Sequence, residues 1–228
     1  MSRPVAVFNI DGTLFRSSLL IELVDELIRR DILPKEARKS YAKAEEKFKN
    51  QGAGFDAYIQ KVVEAFGKHA KGIPYGEVAD VAGEIIEAKK DSVFRYTRDL
   101  AKDLKQQGYF LLAVSRSPKF IVDGFGYELG FDKSYGIFYE TGATSRFTGD
   151  IVDEHLIMNK GLVLQRAVAR EHLSFKGSYA VGDTESDIPM LELVDNPIAF
   201  NPTKALLRRA RQHHWKVVVE SKDAVFEL

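Results

Sequence analysis

Apolar positions along the chain follow two kinds of pattern, one typical of buried strands and one typical of helices. Residues 5–8 are continuously apolar, as in a strand that is buried on both faces. Similar short runs predict strands at residues 109–114, 134–139, 178–181, 197–200 and 216–219, and residues 147–151 suggest half of a small hairpin. Because helical patterns separate these strands and the connections are short, we expect an α/β fold with a doubly wound parallel sheet.

A long stretch after the first strand lacks strand patterns. From about residue 15 to residue 92, apolar residues recur at helical spacing and predict helices that begin near residues 19, 34, 55 and 75. The second of these is expected to be one continuous helix as far as about residue 50. We therefore expect an all-α domain of residues 16–92, inserted into an α/β domain that residues 1–15 and 93–228 form together.

Polar residues stand where three of the predicted strands end. They occupy residues 9–13, residues 115–117 and residues 182–187. Ligands of open parallel sheets bind beyond the carboxyl ends of the strands, so these segments are expected to meet at one site. Lys160 stands at a predicted helix start between the second and the third of them, and Gly12 would let the first segment turn tightly.

These features, in this order, closely resemble the four motifs of the haloacid dehalogenase superfamily of phosphohydrolases. The first motif of that family reads Asp-x-Asp-Gly-Thr, and this chain has Asn9-Ile10-Asp11-Gly12-Thr13. The resemblance covers most of the chain and implies a Rossmann-like core with residues 16–92 as a helical C1 cap. The mostly helical cap is most similar to the subgroup that includes phosphoserine phosphatase.

The resemblance implies a Mg²⁺-dependent phosphomonoester hydrolase that works through an aspartyl-phosphate. Residue 9 would be the nucleophile, Asp11 would protonate the leaving group and later activate water, and Lys160 would neutralise phosphate charge. The expected catalytic positions are Asn9, Asp11 and Lys160. The expected phosphate-binding residues are Thr13, Ser115, Arg116 and Lys160. The expected Mg²⁺ site consists of Asn9, Asp11, Asp183 and Asp187.

Asn9 stands where the family has its nucleophilic Asp. An amide is nearly isosteric with a carboxylate but neutral, and its oxygen is a very poor nucleophile. Three explanations are open: an engineered trap that holds substrate intact, a natural pseudoenzyme, or slow deamidation that restores some Asp. The completeness of the other motifs favours the first. We expect this chain to be nearly inactive, and the alternatives are a non-catalytic phospho-ligand-binding protein and a phosphotransferase of the same fold.

The helical cap sets the substrate in this family, so residues after the first motif and in the cap are candidates for substrate contacts. The candidates are Phe15, Arg16, Ser18, Glu22, Phe55 and Tyr58, and the predicted substrate-contacting residues selected from them are Arg16, Glu22 and Tyr58. Phosphoserine phosphatases carry a Glu shortly after the first motif to bind the substrate amine. This chain has Ser18 there, which puts phosphoserine in doubt and leaves a small phosphorylated metabolite as the expected substrate.

Charge and composition narrow the classes of partner. The chain has 33 Lys and Arg against 33 Asp and Glu, so no net charge attracts it to nucleic acid or to a membrane surface. It has no cysteine, which excludes thiol catalysis, zinc–thiolate sites and disulfides. Neither a signal peptide nor an apolar run of membrane-spanning length is evident. We therefore expect a cytoplasmic protein that binds neither nucleic acid nor membrane.

Overall fold

An eight-stranded sheet forms the centre of the protein. The computed structural model describes residues 2–51, 54–152, 157–222 and 224–228. The strands are β1 (Pro4–Asn9), β2 (Phe110–Pro118), β3 (Lys133–Thr141), β4 (Phe147–Val152), β5 (Ser174–Gly182), β6 (Asn196–Phe200), β7 (Lys216–Glu220) and β8 (Val225–Glu227). Their spatial order is β4-β3-β2-β1-β5-β6-β7-β8.

All neighbouring strands between β3 and β7 pair in parallel, which confirms the predicted α/β sheet. The two edge strands are antiparallel: β4 pairs with β3 as the predicted hairpin, and β8 pairs with β7. β8 was not predicted, since it is short and its residues are exposed. Its register is set by β7, where Val218 lies opposite Glu227.

β1 lies between β2 and β5, at the point where the strand order changes direction. Val5 and Phe8 are completely buried, as the continuous apolar pattern predicted. In open α/β sheets this switch point leaves a crevice at the carboxyl ends of the strands. β2 extends further than predicted, through Ser115 to Pro118, so the second polar segment belongs to the end of a strand.

The helices that connect the strands are largely those predicted. They are α1 (Leu19–Arg29), α2 (Glu36–Lys39), α3 (Ala42–Gln51), α4 (Phe55–Ala70), α5 (Tyr75–Lys89), α6 (Arg95–Gln106), α7 (Lys119–Glu128), α8 (Lys160–Arg170), α9 (Ile188–Leu191) and α10 (Lys204–Gln212). The prediction of a single helix from residue 34 to about residue 50 was wrong. The chain turns at Ser40 and Tyr41, and the buried Tyr41 ring packs 6.1 Å from the Tyr58 ring. Hydrophobic burial of one aromatic side chain therefore overrides the local helical pattern.

The segment from α1 to α5 is helical wherever the structure describes it, apart from turns and one isolated bridge between Pro74 and Arg146. α1 packs against α4 and α5, and α4 also contacts β4. Buried residues of this segment, such as Leu23 and Phe66, belong to the same hydrophobic cluster as Val7 of the sheet. The division into a core and a cap therefore stays a prediction.

The two connections between the sheet and the helical segment run side by side. Phe15 forms an antiparallel bridge with Val93, and the Phe94 N–H donates to the Leu14 carbonyl at 2.9 Å. This pairing fixes where the helical segment leaves the sheet, close to the carboxyl end of β1. No helix among the described residues is both long and apolar enough to cross a membrane.

Candidate active site

The turn after β1 brings the polar groups of residues 9–13 to the carboxyl end of the sheet. The Thr13 N–H donates to the Ile10 carbonyl at 3.2 Å and tightens the turn. Gly12 has a φ of 79°, a left-handed conformation that favours glycine. A Cβ atom on Gly12 would lie 2.4 Å from Oδ2 of Asp183. Glycine is therefore needed here both for the turn and for the close approach of the Asp183 carboxylate.

Asn9 is buried and uses both ends of its amide. Its Nδ2 donates to the Asp11 carbonyl oxygen at 2.7 Å and to Oδ1 of Asp183 at 2.7 Å, with a longer contact of 3.2 Å to the Thr13 hydroxyl. The Lys160 ammonium donates to its Oδ1 at 3.0 Å. Asn9 thus joins three of the sequence segments that the motifs identified.

Asp11 connects the first segment to the end of β2. Its Oδ1 accepts the N–H of Leu19, the first residue of α1, at 2.6 Å. Its Oδ2 accepts hydrogen bonds from the hydroxyls of Ser115 and of Ser117, the latter at 2.9 Å. The carboxylate therefore lies at a helix N-terminus, where negative charge is stabilised, and directly against the predicted phosphate-binding hydroxyl.

Lys160 and Asp187 form a buried ion pair. Asn159 caps α8 by accepting the Leu162 N–H at 3.2 Å, which places Lys160 at the first position of the helix. Its ammonium donates to Oδ1 of Asp187 at 2.5 Å, and both side chains are almost completely buried. Oδ2 of Asp187 accepts the backbone N–H groups of Asp183 and of Thr184, at 2.9 and 3.0 Å. Asp187 therefore positions Lys160 and the turn after β5.

The Asp183 carboxylate lies between Asp187 and the first segment. The Thr13 hydroxyl donates to its Oδ1 at 2.8 Å, and Asn9 donates to the same oxygen. Burial and the nearby negative charge of Asp187 raise the pKa of Asp183 to about 7, and the hydrogen bonds from Thr13 and Asn9 oppose that shift. The ionised form of this group is therefore electrostatically costly, and the hydrogen bonds from Thr13 and Asn9 stabilise it.

These contacts unite residues from all four sequence motifs. We call them the strand-end cluster, which consists of Asn9, Asp11, Ser115, Lys160, Asp183 and Asp187. Thr13 adjoins it through its hydrogen bond to Asp183. In the described part of the chain, every member of the cluster has at least one hydrogen-bond partner within it. Their mutual contacts are observed in the structure, whereas their roles in catalysis remain predictions.

A small cavity lies beside the strand-end cluster. Its volume of about 10 Å³ is near the space of a single water molecule. Phe55 and Ile59 of α4 form its apolar side, and Arg116 forms an ion pair with Asp56 there. Its lining consists of Asn9, Asp11, Phe55, Ile59, Arg116, Lys160, Thr184 and Ser186. α4 therefore covers the cluster and leaves no room for a substrate in this arrangement.

The selected substrate-contacting residues, Arg16, Glu22 and Tyr58, do not line this cavity. Arg16 donates instead to Glu220 at the end of β7, at 2.7 Å. Glu22 accepts the Lys89 ammonium at 2.5 Å, and Tyr58 is buried among aromatic side chains of the helical segment. Each of these side chains has found a partner elsewhere, so the geometry gives no support to a substrate role for them.

Two of the other candidates also lie away from the cavity, and one lines it. Phe15 is buried against Phe125, and Ser18 caps α1 by accepting the Ile21 N–H at 3.5 Å. Phe55 does reach the cavity. Asp56 and Ile59 were missed, although the spacing of Phe55 and Ile59, one helical turn apart, is a signal that they share a face.

The oxygen atoms of the cluster are of the kind that Mg²⁺ prefers, but their present arrangement does not fit a cation. The Asp11 carbonyl and the Asp183 carboxylate are hard ligands, yet the N–H of Asn9 points at both of them. Both oxygens of Asp187 already accept hydrogen bonds. Among the described residues, no group of three or more His, Cys, Asp or Glu side chains is placed to hold a metal.

Known proteins are similar to this chain in sequence. The family model described as haloacid dehalogenase-like hydrolase matches residues 6–192. Histidinol-phosphatase of Neisseria meningitidis is 22% identical over 95% of this chain and 98% of its own length. Phosphoserine phosphatase of Archaeoglobus fulgidus is 27% identical over 90% of this chain and 54% of its own length.

Solved structures share the fold. A protein of unknown function from Bordetella pertussis superposes with a TM-score of 0.76 at 22% identity, covering 95% of this chain and 98% of that chain. A phosphoserine phosphatase in its apo form superposes with a TM-score of 0.65 at 23% identity, covering 97% of this chain and 95% of that chain. The architecture is therefore similar to that of phosphoserine phosphatase over nearly the whole chain.

Proposed function

Because the chain belongs to the haloacid dehalogenase-like hydrolase family, we propose that the strand-end cluster is a phosphomonoester site. In this site Asn9 occupies the position of the nucleophilic Asp. The convergence of Asn9, Asp11, Ser115, Lys160 and Asp183 in one hydrogen-bonded cluster is the observation that carries the proposal. The substrate class is a small phosphorylated metabolite, in keeping with the phosphatase names of the relatives.

Binding of the phosphate group would fall to the donors of the cluster. The Lys160 ammonium supplies a positive charge whose position Asp187 fixes. The Ser115 hydroxyl, which donates to Asp11 in the structure, would turn to a phosphate oxygen. Arg116 lines the same cavity and would add a second cation once it leaves Asp56.

Hydrolysis would need an ionised oxygen at residue 9. A carboxylate there would attack phosphorus while the ester P–O bond breaks, and Asp11 would give its proton to the departing oxygen. Asp11 would then take a proton from the water that splits the aspartyl-phosphate. In this family Mg²⁺ supplies charge neutralisation at the phosphate, but the Asn9 orientation does not fit it, so we propose no metal step for this chain.

The helical segment would act as the cap of this site. α4 covers the cluster with Phe55 and Ile59, and it carries Asp56 to Arg116. We propose that residues 16–92 form this cap, and that its movement admits the substrate.

A non-catalytic phospho-ligand-binding protein is the second candidate. The observation that favours it is the saturation of Asn9, whose amide oxygen and nitrogen both have partners in the cluster. Such a protein would keep the phosphate-binding donors and have no use for a nucleophile.

Reversion of Asn9 separates the two candidates. We expect the Asn9→Asp variant to release phosphate about 10³-fold faster or more than the parent chain, because the nucleophile is restored. The panel should include phosphoserine and histidinol phosphate beside sugar and nucleotide phosphates, each with Mg²⁺ and with a chelator. The control is the Asn9→Asp, Asp11→Asn double variant, which keeps the shape of the site and should lose the gain.

If the Asn9→Asp variant released no phosphate from any ester of the panel in the presence of Mg²⁺, the enzyme proposal would be contradicted. Saturable binding of a phosphate ester by both chains, with no gain in turnover, would then support the binding protein.

A further inference from the structure

Three neighbours fix the orientation of the Asn9 amide, because they determine which side must donate a hydrogen bond and which side must accept one. An ammonium group can only donate, so Lys160 requires the amide oxygen on its side. The Asp11 carbonyl oxygen can only accept, and the same holds for Asp183 when it is ionised, so both require the amide nitrogen on their side. The opposite orientation would set two donors against each other at Lys160 and two acceptors against each other at Asp183.

The amide nitrogen consequently lies where oxygen ligands converge. Two of its contacts, to the Asp11 carbonyl and to Asp183, are both 2.7 Å long. A group with positive hydrogens thus neutralises part of the negative potential that would otherwise attract a cation. A carboxylate at residue 9 differs in one respect, since both of its oxygens accept. It can face Lys160 with one oxygen and a cation with the other at the same time.

We propose that the Asn9 amide takes the place of a divalent cation, and that Lys160 keeps it there. A metal ion binds this chain only after the amide nitrogen leaves the Asp11 carbonyl and Asp183, and the hydrogen bond from Lys160 opposes that movement. Mg²⁺ and the Asn9 N–H therefore compete for the same oxygen atoms. The inference uses the strand-end cluster of the proposed function but concerns metal affinity without substrate, so it stands or falls independently of catalysis.

Metal binding can be measured by calorimetric titration of the purified chains with Mg²⁺, and by the electron paramagnetic resonance of free Mn²⁺. We expect the Asn9→Asp variant to bind at least about tenfold more tightly than the parent chain, because loss of a hydrogen bond to a charged group is of that size. Equal affinities of the two chains, within about threefold, would overturn the proposal.

The Asn9→Ala variant is the sharper test, because it separates an amide that excludes the metal from an amide that binds it. If the amide excludes the cation, its removal raises Mg²⁺ affinity although the side chain lost an oxygen. If the amide oxygen is a ligand, the same change lowers the affinity. A lower affinity of Asn9→Ala would therefore overturn the proposal.

The role of Lys160 is tested by a double-mutant cycle. Lys160→Met removes a positive charge, which favours a cation in any background. We expect Lys160→Met to raise Mg²⁺ affinity by a factor at least about fivefold larger in the parent chain than in the Asn9→Asp variant. Only in the parent chain does the loss of Lys160 also release the Asn9 amide, which can then rotate. Equal gains in both backgrounds would refute the part assigned to Lys160.

Nuclear magnetic resonance provides a readout that needs no Lys160 variant. In the parent chain, the Asn9 side-chain amide protons should be protected from exchange without metal and should lose that protection at saturating Mg²⁺. Protection that persists in the metal-bound state would overturn the proposal. Phosphatase activity enters none of these measurements, so a catalytically silent Asn9→Asp variant would leave the inference intact.

Discussion

The two sides of the candidate site are built on different principles. On the sheet side, the strand-end cluster consists of buried polar groups that satisfy each other through hydrogen bonds of 2.5–3.0 Å, such as those from Lys160 and Asn9. On the side of α4, the covering surface is apolar, with Phe55 and Ile59, and its charged contact is the Asp56–Arg116 ion pair. Under the proposed function, the sheet side would carry the chemistry and the helical segment would control access to it.

This difference has a consequence for ligand entry. The cluster is held together by contacts among the strand ends, their turns and the start of α8, while α4 covers a cavity of about 10 Å³. A phosphomonoester needs far more space, so under the proposed function α4 would have to move before a ligand binds. Changes to the cluster are expected to alter stability and chemistry strongly, and changes to the surface of α4 to alter mainly access.

The largest expected effect on stability comes from the buried ion pair. Lys160→Ala leaves Asp187 buried without its partner, and we expect the free energy of unfolding to fall by about 3–5 kcal/mol. The matched control is Lys119→Ala, which removes an exposed ion pair with Asp123 and should cost about 1 kcal/mol or less. Urea denaturation of both variants gives the comparison, and similar losses would show that burial of the pair is unimportant.

A smaller effect is expected at Gly12. Gly12→Ala introduces a β-carbon at a φ of 79° and at 2.4 Å from Oδ2 of Asp183, and we expect a loss of about 2–3 kcal/mol. Gly130 has a φ of 76° with open space around it, so Gly130→Ala should cost only about 1 kcal/mol. The difference between the two thermal unfolding curves isolates the clash with Asp183. Equal losses would mean that Asp183 does not approach the turn as closely as observed.

The strand-end cluster should also give stability a dependence on pH. The pKa of Asp183 is raised from 3.8 to about 7 by burial and by Asp187. Between pH of about 4 and about 7 the folded state keeps a proton that the unfolded chain has lost, so this contribution to stability declines as the pH rises through that window. Asp183→Asn should flatten the decline in urea-denaturation measurements across the window. An unchanged slope would contradict the assignment.

The smallest expected effect lies on the α4 side. Asp56→Asn weakens the partly buried ion pair with Arg116 but keeps an amide oxygen as acceptor, and we expect a loss of about 1–2 kcal/mol in unfolding free energy. Because Arg116 is then free to meet an anion, calorimetry should find inorganic phosphate bound severalfold more tightly. Asp123→Asn, in an exposed pair far along the sequence, serves as the control and should leave phosphate affinity unchanged. Weaker phosphate binding by Asp56→Asn would place Asp56 among the groups that support the ligand.

The sequence allowed the sheet side to be predicted because parallel strands force their carboxyl ends together. Asn9, Ser115 and Asp183 lie far apart in the chain, yet each follows or ends a buried apolar run, so their convergence follows from topology. The residues that cover the site could not be derived in this way. Tyr58 and Ile59 are neighbours on α4, and tertiary packing alone decides that Ile59 faces the cavity and Tyr58 the helical core.

Other misses have the same origin in long-range packing. Arg16 pairs with Glu220, a partner more than half the chain away that no local pattern indicates. The helix predicted from residue 34 to about residue 50 is interrupted because Tyr41 is buried, and β8 exists because β7 offers it an edge. Local periodicity predicts elements well, but it cannot foresee which distant partner a side chain will find.

Trapping a phosphoryl group at residue 9 tests most directly whether the strand-end cluster is a phosphomonoester site. The Asn9→Asp variant is mixed with a substrate from the panel, quenched with acid within one turnover, digested and analysed by mass spectrometry. We expect a phosphorylated Asp at position 9 of the variant, and no phosphorylated peptide in the parent chain treated in the same way. Turnover by the variant with the phosphoryl group on another residue, or with none at position 9, would contradict the proposed function.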